Sequence, residues 1–329
     1  MGPCLRRDLI LRAVIFALVR RSPAGYGVGR NDASAAAAEP GAEKCDGGTE
    51  TMPQFTTENV CYVKHGERQI MARVFKPEGA GPFPCFIDLH GGAWNNGDLN
   101  DRTGLGEYLA QHGTVMVTLN FRHAADGYPT SLADINYGIR WTKANAKELK
   151  VNPNQVVIGG ASSGGHLAML VAMRPNDKRY AAIPGPAGVD ASVKGVVMLW
   201  PVINPLSRYR NAIRRSKEAN PPQFTVGMKE KHDTYWHTEA EMTEGNPMLI
   251  LEKGEKVVMP PALWLQGRPD EVHDYHDPDG GFPGNEPERF VSNYRKAGGD
   301  IEIAYFDNAK RNTDTTHAPV VDFMKRHVK

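Results

Sequence analysis

The sequence predicts an α/β protein with a mostly parallel central sheet and helices on both faces. Three observations lead there. From Met52 onward, short β-rich runs alternate with longer helical ones. A Gly-x-Ser-x-Gly turn, Gly160-Ala161-Ser162-Ser163-Gly164, lies between a strand run and a helix run. A second glycine turn, His90-Gly91-Gly92-Ala93-Trp94, follows another strand run. Strand and helix in alternation imply right-handed crossovers, hence parallel strands with both sheet faces covered.

The elements follow in order. Residues 60–63 and 70–75 are β-rich and joined by the turn signal His65-Gly66, which predicts two opening strands. Residues 83–89 form a short apolar run before the glycine pair. A helix is expected over 105–111, stopped by Gly113, then a strand over 115–119. Leu132, Ile135 and Ile139 share one face of a helix over 132–149. A strand over 156–158, a helix over 166–173 and a strand over 193–199 come next. The stretch 201–259 breaks this rhythm: it is polar and basic, with Arg208, Arg210, Arg214 and Arg215, then aromatic around Phe224, Tyr235 and Trp236. Long insertions in compact domains tend to be functional, so a cap over the ligand crevice is expected, against a plain surface excursion. A strand over 262–265, a helix over 289–296, a strand over 301–306 and a helix after Pro319 complete the order.

Composition bounds the rest. The chain has 329 residues, 40% hydrophobic and 23% charged, enough for a sizeable core. Its 39 Lys+Arg against 38 Asp+Glu leave +1, too balanced for an electrostatic nucleic-acid binder. Four cysteines exclude a disulfide-dense scaffold. Cys61 and Cys85 lie in strand-like runs and are expected to be buried free thiols. No run approaches the roughly 18–20 uninterrupted apolar residues of a membrane-spanning helix, so no stable membrane anchoring is expected. Residues 1–51 read as a disordered or targeting-like extension. A cytoplasmic location is expected, with this segment an untargeted extension. The Arg-rich start, with Arg12 interrupting the apolar segment, is closer to a mitochondrial presequence than to a signal peptide, so a mitochondrial location is the alternative.

Chemistry concentrates at the two glycine turns. A serine at a tight strand-to-helix turn needs small neighbours, and its hydroxyl then stands beside a helix N-terminus that stabilises negative charge. Glycines after the strand at 83–89 let backbone N–H groups face a carbonyl oxygen, which suits an oxyanion hole completed by the N–H of Ser163. His90 reads as a brace for that loop. The hydroxyl needs a base, and the base needs an orienting acid. Asp270 lies just past the strand at 262–265, with Glu271 and Asp274 as close alternatives. His317, between the last strand and the last helix, is the expected base. The loop from 271 to 285 holds His273, Asp274, His276, Asp277 and Asp279, but its prolines and glycines argue against a fixed metal site.

With these residues in place, the sequence resembles the α/β-hydrolases, and more narrowly the hormone-sensitive-lipase-type esterases. The resemblance is carried by the His90-Gly91-Gly92 loop, Asn120-Phe121-Arg122, Pro129, Gly160 to Gly165, Asp270 and His317. It implies a cofactor-free, metal-free serine hydrolase of small carboxylic esters, with Ser162, Asp270 and His317 as triad. It also implies an oxyanion hole drawn from Gly91, Gly92, Ala93 and Ser163. Two departures stand out. Alanine and tryptophan follow the glycine pair, a variant that also resembles the kynurenine formamidases, so an aryl-formamide or small-amide hydrolase is the alternative. Ala161 replaces the acidic residue often found before the nucleophile. A non-catalytic binding protein on the same fold is a third expectation. With no long apolar run available to line a lipid tunnel, a short acyl chain is expected.

Overall fold

The computed structural model describes residues 54–328; the extension expected over 1–51 lies outside the described residues. The first strands, β1 (Phe55–His65) and β2 (Arg68–Pro77), form a hairpin that turns through Gly66 at a φ of +60°. After them come β3 (Phe83–Leu89), α1 (Thr103–Gln111), β4 (Val115–Leu119), α2 (Thr130–Ala144), β5 (Val151–Ala161), α3 (Ser163–Met173) and β6 (Gly195–Leu199). Four helices, α4 (Pro205–Arg215), α5 (Met228–Trp236), α6 (Glu239–Glu244) and α7 (Pro247–Glu252), occupy the interval before β7 (Ala262–Arg268). The chain ends with α8 (Glu286–Lys296), β8 (Ile301–Asp307) and α9 (Asp314–His327).

All eight strands join one sheet in the order β1-β2-β4-β3-β5-β6-β7-β8. Pairing is antiparallel from β1 to β2 and β2 to β4, and parallel from there to β8. The central strands read as continuous apolar runs because both faces are covered. Cys85, Ile87 and Leu89 of β3 face one core, shared with α2, α3 and α8, while Phe86 faces another, shared with α1 and α9. Period-two alternation thus splits one strand between two helix layers. This is the α/β-hydrolase fold.

The structure supplies the elements of the insertion, for which the sequence predicts none, and differs from expectation in the start of the last helix and in the burial of Cys61. The insertion is helical, and its starts have a local cause. Asn204 and Asn246 each accept the N–H three residues on (Ser207 and Leu249), with Pro205 and Pro247 at the first helical position. The last helix begins at Asp314 rather than after Pro319, so Pro319 lies inside it, in its second turn, where it has no N–H to give to the helix ladder. Cys85 is buried as expected and burial pushes its thiol pKa up, but Cys61 is only half-buried. Among the described residues no helix is long and apolar enough to cross a membrane.

Candidate active site

β5 and α3 meet at Ser162, whose backbone has φ +54° and ψ −119°. A non-glycine residue there stores roughly 1–3 kcal/mol of strain and persists only where its surroundings over-determine it. They do so here. The Ser162 N–H donates to the Leu199 carbonyl at 2.9 Å, and its own carbonyl accepts from Val202 at 3.1 Å and His166 at 3.2 Å. The flanking glycines are required by close approach. A Cβ on Gly160 would lie 2.6 Å from the Leu89 carbonyl oxygen, and one on Gly164 would lie 2.5 Å from that of His90. Gly164→Ala is therefore expected to destabilise the fold by about 1–3 kcal/mol. Urea denaturation checks this; an unchanged midpoint would contradict the close contact.

The imidazole that reaches Ser162 belongs to His273. Its Nε2 lies 2.9 Å from Ser162 Oγ, and its Nδ1 lies 2.9 Å from Asp270 Oδ2 and 3.1 Å from Oδ1. A carboxylate only accepts, so Nδ1 carries the proton and Nε2 is left as acceptor for the serine hydroxyl. Both residues sit on the turn after β7. Asp274 N–H donates to the Asp270 carbonyl at 2.8 Å and Val272 N–H to Asp270 Oδ1 at 3.2 Å. That single turn brings residues three apart face to face.

His317, the base expected from sequence, is elsewhere. Because α9 starts at Asp314, His317 lies inside that helix, where its ring packs 5.4 Å from the Tyr108 ring of α1. Among the described residues it makes no hydrogen bond to Ser162 or Asp270. Burial, with Arg102 nearby, lowers its pKa to about 4. Asp270 is where the sequence placed it, past β7. Of its close alternatives, Glu271 pairs with Arg215 at 3.0 Å and Asp274 with Arg268 at 2.5 Å. Asp277 pairs with Arg289 at 3.1 Å. The His/Asp-rich loop thus contains the missed imidazole, and the available signal was a histidine three residues after a strand-end aspartate.

Electrostatics at the pair are decided by burial and by two arginines. Burial alone would raise the Asp270 pKa, but the His273 hydrogen bond and charge, the Arg311 cation and the Val272 N–H outweigh it and hold it at about 2. Arg311 donates to Asp270 Oδ2 and stacks 4.4 Å over Trp200. His273 is lowered to about 4: burial dominates, Asp270 opposes it, and Arg208 and Arg311 add to it.

The glycine loop abuts the serine. A Cβ on Gly91 would lie 3.3 Å from Ser162 Cβ. Gly92, Ala93 and Trp94 have φ of +101°, +54° and +60°, which turns the chain sharply. The N–H groups of Gly91, Gly92, Ala93 and Ser163 have no acceptor among the described residues. Trp94 N–H donates to Ser163 Oγ at 3.1 Å, and Asn95 Nδ2 bridges the carbonyls of Ala93 and Lys231, each at 2.7 Å. The Trp94 indole donates to His166 Nδ1 at 3.2 Å, while His166 Nε2 donates to the Gly245 carbonyl at 2.8 Å. It also stacks on Tyr235 and meets Trp236 edge-on, so the insertion is packed onto this loop. His90 donates from Nδ1 to the Gly91 carbonyl at 3.0 Å and stacks 4.3 Å from Phe121, consistent with a brace.

The chain is similar to several known proteins. The chain is 33% identical over 124 residues to a probable carboxylic ester hydrolase, LipM, of Mycobacterium tuberculosis, covering 37% of this chain and 28% of that protein. It is 32% identical over 152 residues to the versiconal hemiacetal acetate esterase of Dothistroma septosporum, covering 45% and 44%. The chain therefore spans less than half the length of these curated relatives. Among solved structures, the carboxylesterase EstE1 cloned from a metagenomic library superposes with a TM-score of 0.62 at 20% identity, over 85% of this chain and 92% of that one. At that identity the likeness bears on fold, and it agrees with the hydrolase fold read from the motifs. The BD-FAE family model matches residues 73–277, a span that opens in β2 and closes just beyond His273, and with well over half of its length matched the chain belongs to the BD-FAE family.

Proposed function

We propose that this protein is a serine hydrolase that cleaves small carboxylic esters through an acyl-enzyme. The observation that carries the proposal is the hydrogen-bonded chain Ser162–His273–Asp270 on a strained strand-to-helix turn. Ser162 Oγ attacks the acyl carbon while His273 Nε2 takes its proton, and Asp270 holds the tautomer and stabilises the imidazolium. The free N–H groups of the glycine loop and Ser163 receive the oxyanion. His273 then protonates the departing alcohol and activates water for deacylation. The helices of the insertion act as the cap. The relative named an acetate esterase supports a short acyl group for this chain.

Fluorophosphonate labelling of the full chain, with p-nitrophenyl acetate turnover in parallel, tests this. Labelling and turnover that vanish in Ser162→Ala support it; a well-folded wild type with neither would overturn it.

The base sets the pH profile. His273 must be neutral to accept a proton, and its pKa is lowered to about 4, so the neutral form persists well below the ordinary imidazole range. The acid limb of kcat/KM is expected below pH 6.5, with activity lost only as pH falls toward that pKa. A limb centred at or above 6.5 would contradict the assignment.

A further inference from the structure

Arg208, on α4, is 3% exposed and in no ion pair among the described residues. Its Nη2 donates only to the Met228 sulfur at 3.2 Å, a weak acceptor, and its Nε and Nη1 are buried with no acceptor among the described residues. A buried guanidinium without a carboxylate is costly, and nearly all such groups are paired. One turn on, Asn211 uses its Oδ1 to accept from Arg214 at 2.9 Å and leaves its Nδ2 buried and unpartnered. Two donor groups on one helix face thus lack an anion.

The position of α4 connects this cluster to the catalytic residues. Ser207 meets the Tyr275 hydroxyl at 3.2 Å and Arg215 pairs with Glu271, so α4 lies along the loop that carries Asp270 and His273. On its other side α4 packs on α5. There Met228, beneath Arg208, accepts from His232 Nδ1 at 2.8 Å, and the His232 ring lies 5.2 Å from Trp94 of the glycine loop. The carboxylate whose charge acts on it, Asp270, is already engaged by His273 and Arg311. Burial lowers the Arg208 pKa only to about 10, so it is a cation at neutral pH.

We propose that Arg208, with Asn211 beside it, binds a carboxylate of the substrate, making the preferred substrate an ester that also carries a free carboxylate. This rests on the serine-hydrolase function proposed above. A carboxylate matches the planar guanidinium and supplies the missing acceptor. The anion can belong to the acyl side or to the leaving group, and two probe pairs separate these. Mono-p-nitrophenyl glutarate against p-nitrophenyl valerate places the charge on the acyl chain; 4-acetoxybenzoate against its methyl ester places it on the leaving group.

Charge-assisted hydrogen bonds of this kind correspond to roughly 10- to 100-fold in kcat/KM, so wild type is expected to prefer the anionic member of one pair by about that factor. In Arg208→Met the ratio within that pair should collapse toward one, mainly through KM, and Arg208→Lys should restore part of it. Should Arg208→Met fail to fold, competitive inhibition of the wild type decides: glutarate should inhibit well below the concentration at which glutaramide does. No anionic preference in either pair, equal inhibition by acid and amide, or an equal loss on both members of a pair would overturn the proposal. Fluorophosphonate labelling of the same preparations separates the two failures. Labelling without anionic preference removes only the Arg208 assignment, whereas absence of labelling and of all turnover removes the hydrolase function with it.

Discussion

His273→Ala is expected to lower kcat by on the order of 10⁴- to 10⁶-fold, while His317→Ala stays within about threefold of wild type. The contrast follows from geometry. His273 Nε2 is 2.9 Å from the serine hydroxyl, so its removal leaves Ser162 with the pKa of an ordinary alcohol and no acceptor for its proton. His317 packs its ring against Tyr108 between α1 and α9, so its loss acts on stability. Its replacement should lower the thermal midpoint without changing the pH profile. Fluorophosphonate labelling rates give a second readout: Ser162 should label at the wild-type rate in His317→Ala and hardly at all in His273→Ala. The reverse ranking would restore His317 as base and require the 270–275 turn to move away in the active protein.

The proposed nucleophile and acid are legible in the sequence because both are marked by local rules. Glycine spacing around Ser162 follows from close approach to Leu89 and His90, and Asp270 follows from the end of β7. The imidazole beside Ser162 is His273 and not His317, because residues that share one turn meet more readily than a histidine placed after the final strand. Asp270 and His273 need only one turn to meet, whereas His317 lies inside α9 rather than in the segment before it. Pro319 points to a later helix start, yet the helix begins at Asp314 and runs through it, with Val320, Phe323 and Met324 buried beyond the proline. The insertion was legible as a polar interruption, but its helix starts at Asn204-Pro205 and Asn246-Pro247 are ordinary capping signals that composition obscures. Arg208 could be named from sequence only as one of several basic residues. That it carries two buried nitrogens without acceptors among the described residues depends on tertiary packing.

Asp270→Asn is expected to reduce kcat by about 10⁴-fold with little change in KM, because the amide inverts the imidazole tautomer. Both carboxylate oxygens are in use. Oδ1 accepts from Val272 N–H and His273 Nδ1; Oδ2 accepts from Gln266 Nε2 at 3.1 Å, from Arg311 and from His273. An asparagine offers one oxygen. Arg311 and Gln266 claim it, so the amide NH₂ turns toward His273 Nδ1, which must then accept. The proton moves to Nε2, and a nitrogen that donates to Ser162 cannot take its proton. Arg311→Met separates orientation from charge. It leaves the Asp270–His273 bond in place but removes a cation that lowers the His273 pKa, so the acid limb of kcat/KM should move up in pH. Asp270→Asn should instead lower activity across the whole range. An Asp270→Asn variant that keeps more than about a tenth of wild-type kcat, against the roughly 10⁴-fold loss, would mean that another group fixes the tautomer.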